Sequence, residues 1–379
     1  MKHGMYVYPW DLEDEGPDPV IGRLRDTGID SITIATSYHA GKFVRPHARG
    51  QKVYFPEDGT VYFRPDLSRY GRVRPRTNSR VERFDALGAL ARHAPAMPVT
   101  GWTVGLHNTP LGQAHPDLVV RNAYGDPLWN ALCPAQAEVR RYLVSLCADL
   151  ADNHPIAEIA IETPGWQAYR HGHHHEFELI DLTPRAQVFL GMCFCDACVA
   201  GAGQAGIDAS RLVRRTREEL DRFFADGTEP QTDPLADPDW RAFLAWRADI
   251  VTGLVGEVRA AMPKSVELAV IPTTQSPNSL CWIEGSDLAA LAKIARLEVP
   301  AYQSGVPAIL SDVKATKAAA GPGAQLGYIL RPTYPNLPSA GDVRTVVREI
   351  GATGAASISF YNYGHLRLSS LDWIKSAIG

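Results

Sequence analysis

The chain has 379 residues and a formal net charge of −4, with 45% hydrophobic and 21% charged residues, the proportions of an ordinary globular protein rather than a disordered or fibrous one. No Lys/Arg run is long enough to track a phosphate backbone, which argues against nucleic acid as a partner. No apolar run approaches the length that spans a bilayer, which argues against a membrane. The opening MKHGMYVYPWDL lacks the apolar core of a signal peptide, and six cysteines in a chain this long do not make a disulfide scaffold. A reduced, cytoplasmic setting is therefore expected, and nothing in the pattern excludes a homo-oligomer.

Taken in chain order, eight short β-rich runs alternate with amphipathic helical stretches. The runs lie at 4–10, 30–38, 98–108, 157–162, 266–272, 296–303, 325–332 and 356–362. Eight strand–helix repeats predict a closed (β/α)8 barrel, α/β in class, forming one domain over 1–379. Long insertions are expected after strands 2, 3 and 4. Residues 40–80 contain VYFPEDGTVYF, read as a β-hairpin turning at Asp58-Gly59. Residues 109–135 form a long loop. Residues 163–260 form a helical insertion that carries histidines, cysteines and the charged stretch ASRLVRRTREELDRFFADG. All three follow strand C-termini, the barrel face on which active sites are built.

Side chains at those strand ends converge on one pocket. The candidates are Trp10, Asp11, Tyr38, His39, His107, Asn108, Glu162, Thr273, Thr274, Tyr302, Gln303, Arg331, Tyr361 and Asn362, with Trp102 and Trp166 as further stacking surfaces. Aromatic faces with hydrogen-bonding edges suit a polyhydroxylated ligand. The competing reading is that many of these residues cap the barrel core.

Glu162 closes the otherwise apolar run EIAIE and precedes Thr-Pro-Gly-Trp. A carboxyl group beside an apolar ring is tuned towards its neutral form, as a proton donor to a leaving group requires; the alternative is a glutamate paired with Arg331. Glycoside hydrolysis normally needs a second carboxylate. Asp11, Glu176, Glu284 and Asp287 are the candidates. Asp287 reads better as a helix cap, and Glu176 has the richest surroundings.

The loop HGHHHE that contains His173, His174, His175 and Glu176 admits three readings. It is a solvated polar loop, or a source of proton-transfer and hydroxyl-binding groups above the pocket, or a metal site through His173, His175 and Glu176. The CFCDAC cluster is more specific. Cys193, Cys195 and Cys198 can converge on one Zn²⁺, with Cys133 as the fourth ligand, to clamp the strand-4 insertion as a structural site. Three reduced thiols in a turn, or a redox pair, are the alternatives.

The stretch AHPDLVVRNAYGDPLWNALCPAQAEVRRYL, the strand-end glutamate and CFCDAC together resemble the family 10-like bacterial glycosidases, and more distantly the glycoside hydrolase family 42 β-galactosidases. The resemblance covers residues 98–200 by motif and the rest by architecture. It implies zinc on Cys133, Cys193, Cys195 and Cys198, and an acid/base role for Glu162. Two departures stand out: Ile161 occupies the position of that family's asparagine, and the family's late-strand nucleophile has no counterpart. The expectation is thus a glycosidase acting on a carbohydrate. Two other readings keep the barrel: a lyase or isomerase on a modified sugar, and a sugar-binding protein without turnover.

Overall fold

The computed structural model describes residues 1–173 and 177–379. Eight strands form a closed parallel barrel: β1 (Lys2–Val7), β2 (Ser31–Tyr38), β3 (Val99–Val104), β4 (Glu158–Glu162), β5 (Glu267–Ile271), β6 (Arg296–Pro300), β7 (Leu326–Leu330) and β8 (Ser357–Phe360). Each pairs in parallel with the next. β8 closes on β1 with Lys2 opposite Ser357, and β1 pairs with β2 with Gly4 opposite Ser31. The expected (β/α)8 barrel is what forms.

The period of two along each strand separates a helix-facing from an interior layer. In β1, Met5 and Val7 join the core between strands and helices, while Tyr6 and Tyr8 face the barrel interior. In β4, Ile159 and Ile161 pack outwards against the helices, which puts Glu158, Ala160 and Glu162 on the inner face. The outer layer is mostly Val, Ile and Leu, the composition expected of strands covered by helices.

β2 and β4 end where the apolar runs predict, at Tyr38 and Glu162, whereas β1, β3 and β6 stop three to four residues short of theirs. β1 stops at Val7 because Pro9 opens a helix, Pro9–Glu15; its ring fixes the φ a first helical turn needs. Trp10 and Asp11 therefore sit in that helix rather than on the barrel rim. The expected hairpin at Asp58-Gly59 does not form either. Val53–Tyr54 pairs with Phe43–Val44, whereas Thr60–Val61 is buried and extends the sheet against Ser37 and Tyr38 of β2. Val61 joins the barrel core, so the second run is drawn to the barrel rather than to the first.

After β3, Val119–Arg121 and Pro127–Leu132 form an antiparallel ribbon. After β4 come the helices Pro184–Gly191, Asp196–Gln204 and Ala209–Asp226, with a core of their own in which Phe189 stacks on Trp240 and Phe194 on Phe243. The following helix, Pro238–Ala261, serves both units. Trp240 and Phe243 enter the insertion core, while Leu254, Val255 and Val258 enter the barrel core. Among the described residues no single helix is long and apolar enough to cross a membrane.

Candidate active site and thiol cluster

A cavity of about 670 Å³ opens at the C-terminal ends of the strands. Its floor and walls are aromatic: Tyr6, Tyr38, Phe43, Trp102, Tyr302 and Tyr361. Hydrogen bonds lock the rings, the Tyr8 hydroxyl lying 3.1 Å from that of Tyr38 and 2.9 Å from that of Tyr361. Trp102 meets Tyr6 and Tyr38 edge to face, at centroid separations of 5.3 and 4.9 Å. Polar groups interrupt the apolar wall at His39, His171, Thr273, Thr274, Ser276 and Arg331.

Glu162 lines this cavity and is partly open to it. Its Oε2 accepts a 2.6 Å hydrogen bond from the Trp102 indole. The register makes this possible: Trp102 lies opposite Ala160, whose small side chain leaves room for the indole beside the strand end. Burial raises the Glu162 carboxyl to about 7; the indole donor and Arg331 act against this, and the nearby Glu284 pushes it further up. Among the described residues of the cavity wall Glu162 is the sole carboxylate. The residue after it, Thr163, has a φ of 41°, a β-branched residue in the left-handed region that costs about 1–3 kcal/mol. The strained turn that follows is held by two backbone bonds, Thr163 N–H to the Ile271 carbonyl at 2.9 Å and Trp166 N–H to the Glu284 carbonyl at 3.1 Å. Gly165 is obligatory there, since a Cβ would fall 1.9 Å from that Glu284 oxygen.

Arg331 lies over Tyr302, 3.6 Å from the ring centroid, and 5.1 Å from that of Tyr361. No carboxylate lies within ion-pair distance of it among the described residues, so the alternative of a Glu162–Arg331 pair is not what forms.

Of the sequence candidates, the cavity gathers Tyr38, His39, Trp102, Glu162, Thr273, Thr274, Tyr302, Arg331 and Tyr361. His107 stands directly behind, its ring stacked on His39 at 4.1 Å. Others point elsewhere. Trp10 is fully buried and stacks on Tyr8 at 4.2 Å beneath the cavity. Asp11 is fully buried, accepts from the Tyr8 N–H at 3.0 Å, pairs with Arg45 at 3.3 Å and abuts Gly364; it holds the first helical turn rather than facing substrate. Asn108 caps the helix Thr109–Ala114 through Leu111 N–H and donates to the Gly59 carbonyl. A side chain at Gly59 would collide with it at 2.2 Å. Asn362 caps the turn Tyr363–His365. Trp166 is buried beside the thiols, and His173 is exposed. His174, His175 and Glu176 lie outside the described residues.

Glu284 and Asp287 are likewise resolved. Asp287 caps its helix through Ala290 N–H, as expected. Glu284 is fully buried and accepts from Thr274 N–H at 3.0 Å and from the Thr274 hydroxyl at 2.6 Å, so it acts on Glu162 through its field rather than from the cavity wall. His171 and Tyr6 were not singled out in the sequence. The inside–outside alternation of β1 points to Tyr6, and His171 opens the HGHHHE loop with no local mark that sets it apart from the histidines at 173–175.

The second centre is the thiol cluster. Cys133, Cys193, Cys195 and Cys198 are all buried, and the Cys133 Sγ lies 3.5, 3.8 and 3.6 Å from those of Cys198, Cys193 and Cys195. These separations are far too long for disulfides. Four sulfurs at about 2.3 Å from one ion would stand about 3.8 Å apart, close to what is seen, so the residues fit a tetrahedral metal site. Burial pushes the Cys133 and Cys198 thiols well up, whereas thiol donors surrounding Cys195 drive it down. The buried Arg247 guanidinium stacks on Trp166 at 4.4 Å and feels the charge of the sulfurs, a counter-charge for a thiolate-rich centre. Gln136 Nε2 lies 3.7 Å from the Cys195 sulfur and adds a donor.

No protein-family model matches the sequence, and no curated protein matches it with significance. Solved structures share the fold. The PgaB (BpsB) glycoside hydrolase domain from Bordetella bronchiseptica superposes with a TM-score of 0.60 at 13% identity, covering 100% of this chain and 99% of that one. The catalytic domain of β-amylase from Paenibacillus polymyxa gives 0.58 at 13% identity, covering 100% and 97%. The β-galactosidase from the psychrophilic Marinomonas ef1 gives 0.59 at 12% identity, with 99% of this chain matched to 58% of that one. At these identities the likeness is one of fold: a (β/α)8 barrel of the kind glycoside hydrolases use.

Proposed function

We propose that the protein is a glycoside hydrolase-like enzyme in which Glu162 serves as general acid/base. The observation that carries this reading is a carboxyl group raised to about 7 on the wall of an aromatic cavity at the strand C-termini. A donor with that value is protonated in a large fraction of molecules near neutral pH, yet acidic enough to release its proton to a leaving oxygen. Tyr38, Tyr302 and Tyr361 line the cavity with aromatic surface on which a pyranose can pack, and Thr273, Thr274 and Ser276 offer hydroxyls to its edges. Arg331, stacked on Tyr302 without a carboxylate partner among the described residues, suits an anionic substituent on the sugar. The solved barrels of the same fold that carry glycoside hydrolase names support the substrate class by analogy.

A series of aryl glycosides with graded leaving groups tests the assignment. Glu162→Gln should lose most activity on poor leaving groups, which need protonation, and least on good ones. Equal activity of the variant and the wild type across the series would sink the role of Glu162.

For the thiols we propose a structural Zn²⁺ that ties Cys133, beyond the ribbon after β3, to the insertion after β4. Borderline-soft Zn²⁺ suits four sulfurs in a closed, buried site. Cys198→Ser should lose one equivalent of zinc and melt at lower temperature. Unchanged metal content would overturn the assignment.

A further inference from the structure

The cavity that holds Glu162 has a neighbour. A hollow of about 460 Å³ lies between the loop after β4, the start of the helix Pro184–Gly191, the chain at 229–234 and the 3₁₀ turn Asn278–Glu284 after β5. The two spaces share two walls, and in each wall the division falls between adjacent residues. After β4, Arg170 lines the hollow and His171 lines the cavity. After β5, Gln275 lines the hollow while Thr274 and Ser276 line the cavity. This second wall is pinned from behind. The buried Glu284 carboxylate accepts from Thr274 N–H at 3.0 Å, from the Thr274 hydroxyl at 2.6 Å and from the Gln275 amide at 3.3 Å.

The lining of the hollow repeats the chemistry of the cavity. Trp282, from the same turn as Glu284, is half-buried against the insertion core, and Leu280 and Val188 extend the apolar surface. Gln187, Gln275, Arg185 and Asp233 supply hydrogen-bonding groups around it. An aromatic side chain among amides and charges suits a sugar ring, which has apolar faces and hydroxylated edges. The walls are also preformed. Arg185 donates to the Pro230 carbonyl at 2.8 Å and so ties the helix to the chain at 229–234. The Gln187 amide N–H donates to the Leu182 carbonyl at 2.6 Å, which leaves the amide oxygen to accept from a ligand hydroxyl. Arg247 donates to the Ile283 carbonyl at 2.9 Å and holds the turn that carries Trp282. Walls fixed in this way lose little freedom when a ligand binds.

We infer that this hollow is a second sugar-binding subsite, which takes the continuation of a carbohydrate chain whose scissile linkage lies at Glu162. The inference rests on the glycosidase reading of the cavity and narrows its substrate class to oligosaccharides and polysaccharides. The shared wall at Thr274–Gln275 gives such a chain polar contacts on both sides as it crosses from one space to the other. Binding energy gained at Trp282 is then available to the reaction at the remote linkage.

The test is calorimetric binding to the full chain carrying Glu162→Gln. The probes are β-1,4-linked glucose, β-1,4-linked N-acetylglucosamine and α-1,4-linked galacturonate, each as a ladder from monomer to pentamer, with octyl glucoside as an apolar control. In at least one ladder Kd should fall at least about 10-fold from the monomer to the longer oligomers, the gain expected from one added aromatic contact. Adding Trp282→Ala, or Val188→Trp to fill the hollow, should return the longer oligomers to the affinity of the monomer. Monomer binding retained in both variants shows that the barrel cavity survives. No gain with length in any ladder, or a gain that both variants keep, would overturn the subsite. An equal gain from the octyl chain would overturn it too, and would assign the hollow to an apolar aglycone. Turnover is read separately on the chain with Glu162 intact. Length-dependent binding without hydrolysis would sink the role of Glu162 and keep the subsite, and hydrolysis without length dependence would do the reverse.

Discussion

β4 opens on Glu158 and closes on Glu162, two carboxylates on the same inward face of one strand at opposite ends of the barrel. Each borders a cavity, of about 620 Å³ at the N-terminal end and about 670 Å³ at the C-terminal end. Size does not tell the ends apart; partners do. Glu158 is held bidentately by Arg296, at 3.1 and 2.8 Å, and accepts from the Thr100 hydroxyl at 3.1 Å. Arg296 also reaches Glu298 and the Ser357 hydroxyl, so the lower end is a closed network of opposite charges. Glu162 has an indole donor, no paired cation among the described residues and a second carboxylate close enough to repel it. A matched network spends its charges on the fold, whereas a carboxyl left short of a cation keeps its proton available.

The largest expected difference between these two residues is catalytic. Glu162→Gln should lower kcat/KM on poor leaving groups by about 10²–10⁴-fold, the range removed with a general acid, while Glu158→Gln should leave kcat/KM unchanged. Equal losses in both variants would erase the distinction.

Stability should show the reverse. Glu158→Gln leaves the part-buried Arg296 with an incomplete set of partners and should cost about 3 kcal/mol in urea unfolding. Glu162→Gln should cost little, and its effect depends on pH. The folded value of about 7 lies above the ordinary 4.5, so protons bound to Glu162 favour the folded state. That contribution is complete below about 4.5 and is lost as pH rises to about 7. The variant has no such group, so its stability relative to the wild type should climb across this window and then level off. Over the same interval wild-type activity should fall as pH rises through about 7, because the acid form disappears. A flat stability difference from pH 4 to 8 would show that Glu162 titrates normally.

Much of this contrast was legible in the sequence, and the reasons for the rest are specific. The barrel strands stand out because runs such as VELAVIP and QLGYIL are apolar on both faces, as strands between helices and a filled interior must be. The CxCxxC spacing, with Cys133, points to one centre because clustered thiols at ligand spacing can share an ion. Glu162 is visible as the polar terminus of an apolar strand. What the pattern does not reveal is where a side chain just beyond a strand end will turn. Trp10 and Trp166 look like rim aromatics but are drawn into neighbouring cores, and Asn108 is taken up by a helix cap. His171 comes into contact with His107 because Asn130 and Gly172 steer the backbone, a long-range constraint with no local signature.

The smallest effect, and the finest probe of the two ends of β4, concerns Trp102. Its indole donates at 2.6 Å to Glu162 Oε2 and so favours the ionised carboxylate, the one direct donor among the described residues that opposes the burial that raises it. Trp102→Phe keeps an aromatic ring against Tyr6 and Tyr38 but removes that N–H. A hydrogen bond to a charged group contributes about 1.5 kcal/mol, or about one pH unit. The alkaline limb of the activity profile should therefore move up by at most about one unit, with KM for a given glycoside nearly unchanged. A downward move would mean that the indole stabilises the protonated acid, and that Glu162 owes its raised value to the tryptophan rather than to the dry interior around it.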